Sequence, residues 1–137
     1  MGILTGKRAV VTGGTRGIGR AIVEALLAEG ASVLLCGRTA ESAAAAVAEI
    51  GHPRVFGTGA DVSVEADVAA LFRSAAERMG GVDILVANAG IGIFKPAGEL
   101  TLEEWKRTID INLTGAFLCS RYAIAAMRGS GGGFIVH

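Results

Sequence analysis

The sequence predicts an α/β fold built on a doubly wound parallel sheet. Short apolar runs of strand length alternate with stretches of helical periodicity, and short glycine-containing turns connect them. The apolar runs are nearly continuous, as in strands that are covered on both faces. With 137 residues, of which 51% are hydrophobic, the chain is long enough to bury the core of one such domain.

The elements follow one another in regular order. Strands are predicted at residues 9–11, 32–36, 54–57, 83–86 and 134–136. Helices are predicted at residues 18–29, 40–50, 64–79 and 101–128, the last as two helices broken near Asn112. Thr39, Ser63 and a Thr101–Glu104 capping box mark helix starts. We assign Trp105 and Phe117 of the last helical region to the core.

Charge and cysteine content exclude several functional classes. Lys+Arg and Asp+Glu both number 13, so nothing predicts electrostatic capture of nucleic acid or of an acidic membrane surface. No apolar run approaches the roughly 18 residues of a membrane span. Cys36 and Cys119 lie inside apolar runs and are expected to be buried free thiols, without a metal site. We therefore expect a protein of the reducing cytoplasm that acts on small molecules.

A glycine-rich loop at residues 12–19 is the strongest local signal. It follows a predicted strand and opens a predicted helix, the context in which such a loop holds a phosphate group at the helix N-terminus. Residues 14–19 also fit the first half of a P-loop, but Arg20-Ala21 stands where that motif needs Lys and then Ser or Thr. A strand–helix turn without a ligand is the remaining alternative.

The end of the second predicted strand distinguishes between two nicotinamide cofactors. NAD(H) binders usually place an acidic residue there to accept from the ribose 2′-hydroxyl. This sequence has Gly37 and Arg38 instead, and Arg16 of the glycine loop could reach the same place. A guanidinium group suits a 2′-phosphate, so the pair favours NADP(H) over NAD(H). Taken singly, each arginine fits a solvated loop charge better than a phosphate ligand, and only the pair together with the missing acid favours NADP(H).

Three further groups of residues are candidates for the same site. Asp61-Val62 follows the third strand, where a carboxylate could accept from an adenine amino group, although it could also be an ordinary loop acid. Asn88-Ala89-Gly90 follows the fourth strand, where small residues allow close approach and the Asn amide can bridge backbone groups; a plain turn is the alternative. Asn112, a poor helix former in apolar company, either bonds a backbone group at a helix break or is simply exposed.

Together these motifs resemble the short-chain dehydrogenase/reductase family. Residues 12–19, Asp61-Val62, Asn88-Ala89-Gly90 and Asn112 match the family pattern in order and spacing, and the likeness covers all 137 residues. The family commonly has two asparagines before its Ala-Gly, and Ala87 replaces the first of them here. Within the family, the sequence is most similar to 3-oxoacyl-carrier-protein reductases and related alcohol dehydrogenases.

The resemblance implies a role for each candidate residue. The loop that holds the pyrophosphate would comprise Gly13, Thr15, Arg16, Gly17, Ile18 and Gly19. Arg16 and Arg38 would bind the 2′-phosphate, Asp61 and Val62 would contact adenine, and Asn88, Ala89 and Gly90 would border the adenosine. Asn112 would be the asparagine of the family's Asn-Ser-Tyr-Lys catalytic set, whose backbone carbonyl anchors a water in a proton relay.

The serine, tyrosine and lysine of that set would follow the fifth strand. The chain has no Tyr-x3-Lys, since its one tyrosine, Tyr122, is followed four residues later by Ala126. We therefore expect residues 1–137 to be the NADP-binding, N-terminal part of a single Rossmann-fold domain, truncated after the fifth strand. The resemblance implies an oxidoreductase that transfers hydride between NADP(H) and a carbonyl or secondary alcohol, as a homodimer or homotetramer. The alternatives are a non-catalytic dinucleotide-binding module and a monomer.

Overall fold

Five parallel strands form one sheet in a computed structural model of the chain, which describes residues 2–137. The strands are β1 (Arg8–Thr12), β2 (Ser32–Gly37), β3 (Val55–Gly59), β4 (Ile84–Val86) and β5 (Phe134–Val136). Their order across the sheet is β3-β2-β1-β4-β5. The strand order therefore reverses between β1 and β4, and open sheets of this kind bind ligands at the carboxyl ends of the strands beside such a reversal.

Helices connect consecutive strands, as the sequence predicts. They are α1 (Gly17–Ala28), α2 (Ala40–Ile50), α3 (Glu65–Met79), α4 (Leu102–Ile109) and α5 (Gly115–Arg128). A π-helical segment, Asp110–Thr114, joins α4 to α5, so the predicted break near Asn112 is a widened turn of one continuous helical path. The side chain of Thr39 caps α2, and the Thr101–Glu104 capping box opens α4.

The core has two halves, one on each face of the sheet. Alternate residues of β1 enter opposite halves: Val10 packs with residues of α3 and α5, whereas Val11 packs with residues of α1 and α2. Both valines are fully buried, as are Leu34 and Leu35 of β2. The central strands are thus covered on both faces, which explains their unbroken apolar sequence.

Two details of the helices differ from expectation. Ser63 does not cap α3, because its hydroxyl and its amide both bond the carboxylate of Asp61; Val64 is the N-cap residue and gives no side-chain bond. Trp105 and Phe117 are not core residues, since 55% and 59% of their surfaces are exposed. The helical path from α4 to α5 carries apolar residues on more than one side. The side with Leu118, Ala123 and Met127 packs against the sheet.

An ion pair closes the end of the sheet opposite to the carboxyl ends of the strands. The guanidinium of Arg8 donates to both carboxylate oxygens of Asp83, at 2.9 and 3.0 Å, and also to the carbonyl of Gly80. The backbone amide of Arg8 donates to the same carboxylate. These bonds hold the pKa of Asp83 below its usual value.

Among residues 2–137, no helix is long and apolar enough to cross a membrane.

Candidate functional site

A cavity of about 780 Å³ lies at the carboxyl ends of β1 to β4, beside the reversal of strand order. All twelve residues that the sequence assigns to cofactor binding line it: Gly13, Thr15, Arg16, Gly17, Ile18, Gly19, Arg38, Asp61, Val62, Asn88, Ala89 and Gly90. Four loops that are distant in sequence meet here because parallel strands end at one edge of the sheet. The volume is within the range of small-molecule and cofactor sites.

The glycine loop passes tightly from β1 into α1. Gly17 has a φ of 59°, a left-handed conformation that glycine adopts without strain. A Cβ at Gly19 would lie 2.0 Å from the carbonyl oxygen of Gly13, so only glycine fits between helix and loop. Arg16, the N-cap residue of α1, gives no side-chain bond to the helix. The amides of the first turn are therefore open to an anion in the cavity.

The side chain of Arg20 does not enter the cavity, so it cannot bind a phosphate group there as the lysine of a P-loop does. It pairs with Glu24 at 3.0 Å and with Glu49 at 2.8 Å, and it does not line the cavity. The loop therefore offers backbone amides and Arg16, without the lysine that P-loop enzymes place on the phosphates.

Asn88 joins the end of β4 to the glycine loop. Its side-chain amide donates to the carbonyls of Thr12 and Gly13, each at 3.1 Å. The amide of Ala89 donates to the buried hydroxyl of Thr12 at 3.0 Å. The Asn side chain therefore bridges backbone groups, and the two loops form one wall of the cavity.

The end of β2 gives the cavity a positive edge. Gly37 is buried, and a Cβ there would lie 2.6 Å from the Thr15 methyl group and 2.7 Å from the Ser42 hydroxyl. The place where NAD(H) binders carry an acid thus has no carboxylate, and a side chain there would require Thr15 and Ser42 to move. Arg16 and Arg38 are exposed at this edge, and neither forms an ion pair with any of residues 2–137.

Asp61 supplies the negative charge of the cavity. Its Oδ1 accepts from the amide and the hydroxyl of Ser63, at 3.0 and 2.6 Å, and its Oδ2 accepts from Arg107 at 3.4 Å. Its own backbone amide donates to Asp67 at 2.8 Å. The bond from the Ser63 hydroxyl, followed by the Ser63 amide and Arg107, holds the pKa of Asp61 below its usual value. The group is therefore a fixed anionic acceptor at neutral pH.

Asn112 lies near the cavity and does not line it. Its amide nitrogen donates to the carbonyl of Ile91 and its oxygen accepts from the amide of Ile91, both at 2.8 Å. Ile91 itself lines the cavity, directly after Asn88-Ala89-Gly90. Asn112 is exposed, but it is not merely a surface residue, because it fixes the loop that follows β4.

Several cavity residues were not predicted. Most are chain neighbours of predicted ones or lie at the start of α2, namely Cys36, Gly37, Thr39, Ser42, Ala60 and Ile91. Arg107 and Ile111 come from α4 and the π-helical segment. Their spacing of four residues, next to Asn112, places them on one side of that helical path, but no local motif marks them.

The cysteines take no part in polar chemistry at the site. Cys36 lines the cavity at the end of β2 yet is 1% exposed, and Cys119 is equally buried. Burial raises the pKa of Cys36 to about 11 and that of Cys119 to about 12, so both remain thiols at neutral pH. The prediction of two buried free thiols is confirmed.

Comparison with known proteins identifies relatives of similar sequence and fold. A crystal structure described as that of a short-chain alcohol dehydrogenase from Sinorhizobium meliloti 1021 superimposes with a TM-score of 0.88 and 39% identity, over 96% of this chain and 53% of that one. A cis-4-hydroxycyclohexanecarboxylate dehydrogenase from Sinomonas cyclohexanicum is 44% identical over 133 residues, 94% of this chain and 53% of its own length.

The names of two other relatives state which cofactor each of them uses. An NADP-dependent (R)-specific alcohol dehydrogenase from Lentilactobacillus kefiri is 40% identical over 93% of this chain and 51% of its own. A 2-dehydro-3-deoxy-L-rhamnonate dehydrogenase (NAD(+)) from a Sphingomonas species is 39% identical over 99% of this chain and 54% of its own. The chain thus spans about half the length of the curated relatives it matches. The family model for short chain dehydrogenases matches residues 7–137, and the chain belongs to that oxidoreductase family.

Proposed function

We propose that the protein transfers hydride between NADP(H) and a carbonyl or secondary alcohol, and that residues 1–137 form the NADP-binding part of its single catalytic domain. The observation that carries this proposal is the positive edge of the cavity. Two unpaired arginines, Arg16 and Arg38, line the cavity together with Gly37, which stands where NAD(H) binders carry an acidic side chain. A ribose 2′-phosphate fits that edge, whereas a 2′-hydroxyl would find no carboxylate there to accept its hydrogen bond.

The relatives support the reaction class without deciding the cofactor. One is named as NADP-dependent and another as using NAD(+), at nearly the same identity to this chain. The choice between the cofactors therefore rests on residues of this chain. Arg38 is the more informative of the two arginines because it directly follows the position at which NAD(H) binders carry their acid.

Each remaining part of the cavity suits one part of the dinucleotide. The amides at the start of α1, residues 17–19, suit the pyrophosphate. Asp61 and Val62 suit the adenine ring, and Asn88, Ala89 and Gly90 suit the adenosine side. When bound, NADPH supplies the hydride. Asn112 contributes by holding Ile91 and the loop that follows β4, and the family resemblance implies that its carbonyl takes part in a proton relay.

Tyr122 does not supply the proton for this reaction. Its hydroxyl donates to Glu65 at 3.2 Å, and its ring stacks against Phe72 with the centroids 6.4 Å apart. It does not line the cavity. Among residues 2–137, no other tyrosine is present to act as an acid, which is the observation that favours a dinucleotide-binding module as the second candidate function.

The two candidates differ in turnover by the full-length protein. Oxidation of NADPH would be followed with a panel of ketones and 3-oxoacyl thioesters, and reduction of NADP⁺ with secondary alcohols. We expect turnover of at least one substrate class, with NADPH preferred to NADH. Tight NADPH binding without turnover on any of them would instead support the module, and binding of neither dinucleotide would contradict both.

A further inference from the structure

Arg107 belongs to none of the motifs predicted from the sequence, yet it contacts Asp61, the one acidic side chain that lines the cavity. It extends from α4, and its Nη1 lies 3.4 Å from Asp61 Oδ2 and 3.5 Å from the hydroxyl of Ser63. Both partners in the ion pair are partly exposed, 37% for Arg107 and 29% for Asp61. Arg107 also lines the cavity itself, so the pair lies at its wall and not on a distant surface.

The hydrogen bonds to Asp61 leave one acceptor site available. A carboxylate can accept about four hydrogen bonds, two at each oxygen. Oδ1 already accepts two, from the amide and the hydroxyl of Ser63. Oδ2 accepts only the longer bond from Arg107. The free acceptor position is therefore on Oδ2. The direction in which that position points depends on how the bond from Arg107 orients the carboxylate.

The three arginines of the cavity are not equivalent. Arg16 and Arg38 make no ion pair with any described residue, so their charges are available to a phosphate group. The charge of Arg107 is opposed by Asp61 at 3.4 Å. Its effect on a ligand should therefore act through the carboxylate and not through attraction of an anion.

We propose that Arg107 is a positioning residue that sets the base specificity of the site, by orienting Asp61 Oδ2 to accept from the 6-amino group of adenine. The inference rests on the proposed function, because it assumes that the adenine half of NADP(H) occupies this cavity. A base that carries a 6-oxo group presents an acceptor to the same carboxylate and is disfavoured. Arg107 thereby contributes to selection of the base without bonding to it.

The test compares NADP(H) with its hypoxanthine analogue, in which a 6-oxo group replaces the 6-amino group. Dissociation constants for both would be measured by titration calorimetry on the full-length wild-type protein and on Arg107→Met. Lys106→Met is a matched control, because it removes one positive charge from the neighbouring exposed position of α4. Thermal unfolding would establish that each variant is folded. If Arg107→Met is not folded, Arg107→Gln, which keeps a polar donor, replaces it in the test.

We expect the wild-type protein to prefer the adenine cofactor by about tenfold, as loss of one hydrogen bond to a partly exposed charged group predicts. In Arg107→Met the preference should fall to about threefold or less, chiefly through weaker binding of the adenine form, and in Lys106→Met it should not change. Arg107→Gln should also lose preference.

Two results would overturn the inference. One is an unchanged preference in a folded Arg107 variant, including the case in which both cofactors bind more weakly by the same factor, as a purely structural role would produce. The other is a wild-type protein that binds both forms equally well, which would leave the proposed function intact. Failure of the wild-type protein to bind NADP(H) at all would contradict the proposed function together with the inference.

Discussion

The side-chain amide of Asn112 and the main chain of Ile91 exchange two hydrogen bonds, each 2.8 Å long. They connect the π-helical segment between α4 and α5 to the loop that follows β4. A π-helical turn widens the helix by one residue, and such turns are often found at functional sites. The pair therefore fixes the wall of the cavity that Ile91 lines.

Replacement of Asn112 by alanine should remove both bonds. We expect the free energy of unfolding to fall by about 1–3 kcal/mol and kcat to fall more than the affinity for NADP(H), because the loop backbone loses its anchor. Denaturant unfolding and steady-state kinetics of the full-length protein measure the two effects. Asp110→Ala is the control, since its side chain is exposed in the same segment and bonds none of residues 2–137. Equal effects of both substitutions would contradict the role given to Asn112.

Gly19→Ala should damage the glycine loop. The added methyl group would lie 2.0 Å from the carbonyl oxygen of Gly13, so the helix or the loop must move, at a cost of about 1–3 kcal/mol. Because the displaced amides are those that we propose to bind the pyrophosphate, affinity for NADP(H) should fall as well. Gly98→Ala is the control, because a Cβ there has nothing within 4 Å. Calorimetric binding at wild-type strength by Gly19→Ala would show that the close approach is not required.

Acid should weaken the ion pair between Arg8 and Asp83. The bonds from Arg8 lower the pKa of Asp83 in the folded state, so the stability they add is fully present above the unfolded pKa of about 3.9. That stability is lost as the pH falls through the lowered folded pKa. For a partly buried pair we expect about 1–2 kcal/mol.

The measurement is the free energy of unfolding of the full-length protein between about pH 5 and pH 2. Asp83→Asn should be less stable at neutral pH and should lose less stability on acidification than the wild type. Asp110→Asn, at an exposed position that pairs with none of residues 2–137, should follow the wild-type curve. Parallel curves for wild type and Asp83→Asn would refute the assignment.

The exposed apolar side of α4 and α5 favours self-association, and we propose a homodimer or homotetramer. Trp105, Leu113 and Phe117 are each more than half exposed there. Burial of a Phe-sized side chain contributes about 1.5–3 kcal/mol, so Phe117→Asp should shift the full-length protein toward monomer. Sedimentation velocity at micromolar concentration checks this, with Phe94→Asp, at an exposed phenylalanine outside the helices, as the control. A monomeric wild type would contradict the proposal.

The sequence was most informative where local chemistry determines the structure. The ends of β1 to β4 are marked by glycine, Asn and Asp at fixed places, and parallel strands bring those ends together, so twelve cavity residues could be predicted without coordinates. Arg107 could not be predicted because its contact with Asp61 depends on how α4 lies over the cavity, and the two residues are 46 positions apart.

The predictions for Ser63, Trp105 and Phe117 were wrong because in each case one local sequence pattern is compatible with two structures. A serine before a helix can cap it or can bond a preceding carboxylate, and Ser63 does the second because Asp61 is two residues away. Helical periodicity also does not say which apolar side faces the sheet when a helix has two. Phe117 and Leu118 are adjacent in sequence, and only Leu118 is buried.

The dissociation constants of NADPH and NADH measure the cofactor preference of the protein. They would be measured by titration calorimetry on the full-length wild type, on Arg38→Ala and on Arg73→Ala, a control at an exposed arginine of α3. Wild type and Arg73→Ala should bind NADPH more tightly than NADH by about 1–3 kcal/mol, and Arg38→Ala should lose most of that difference. Equal affinities in the wild type, or an unchanged ratio in Arg38→Ala, would contradict the proposed preference for NADP(H).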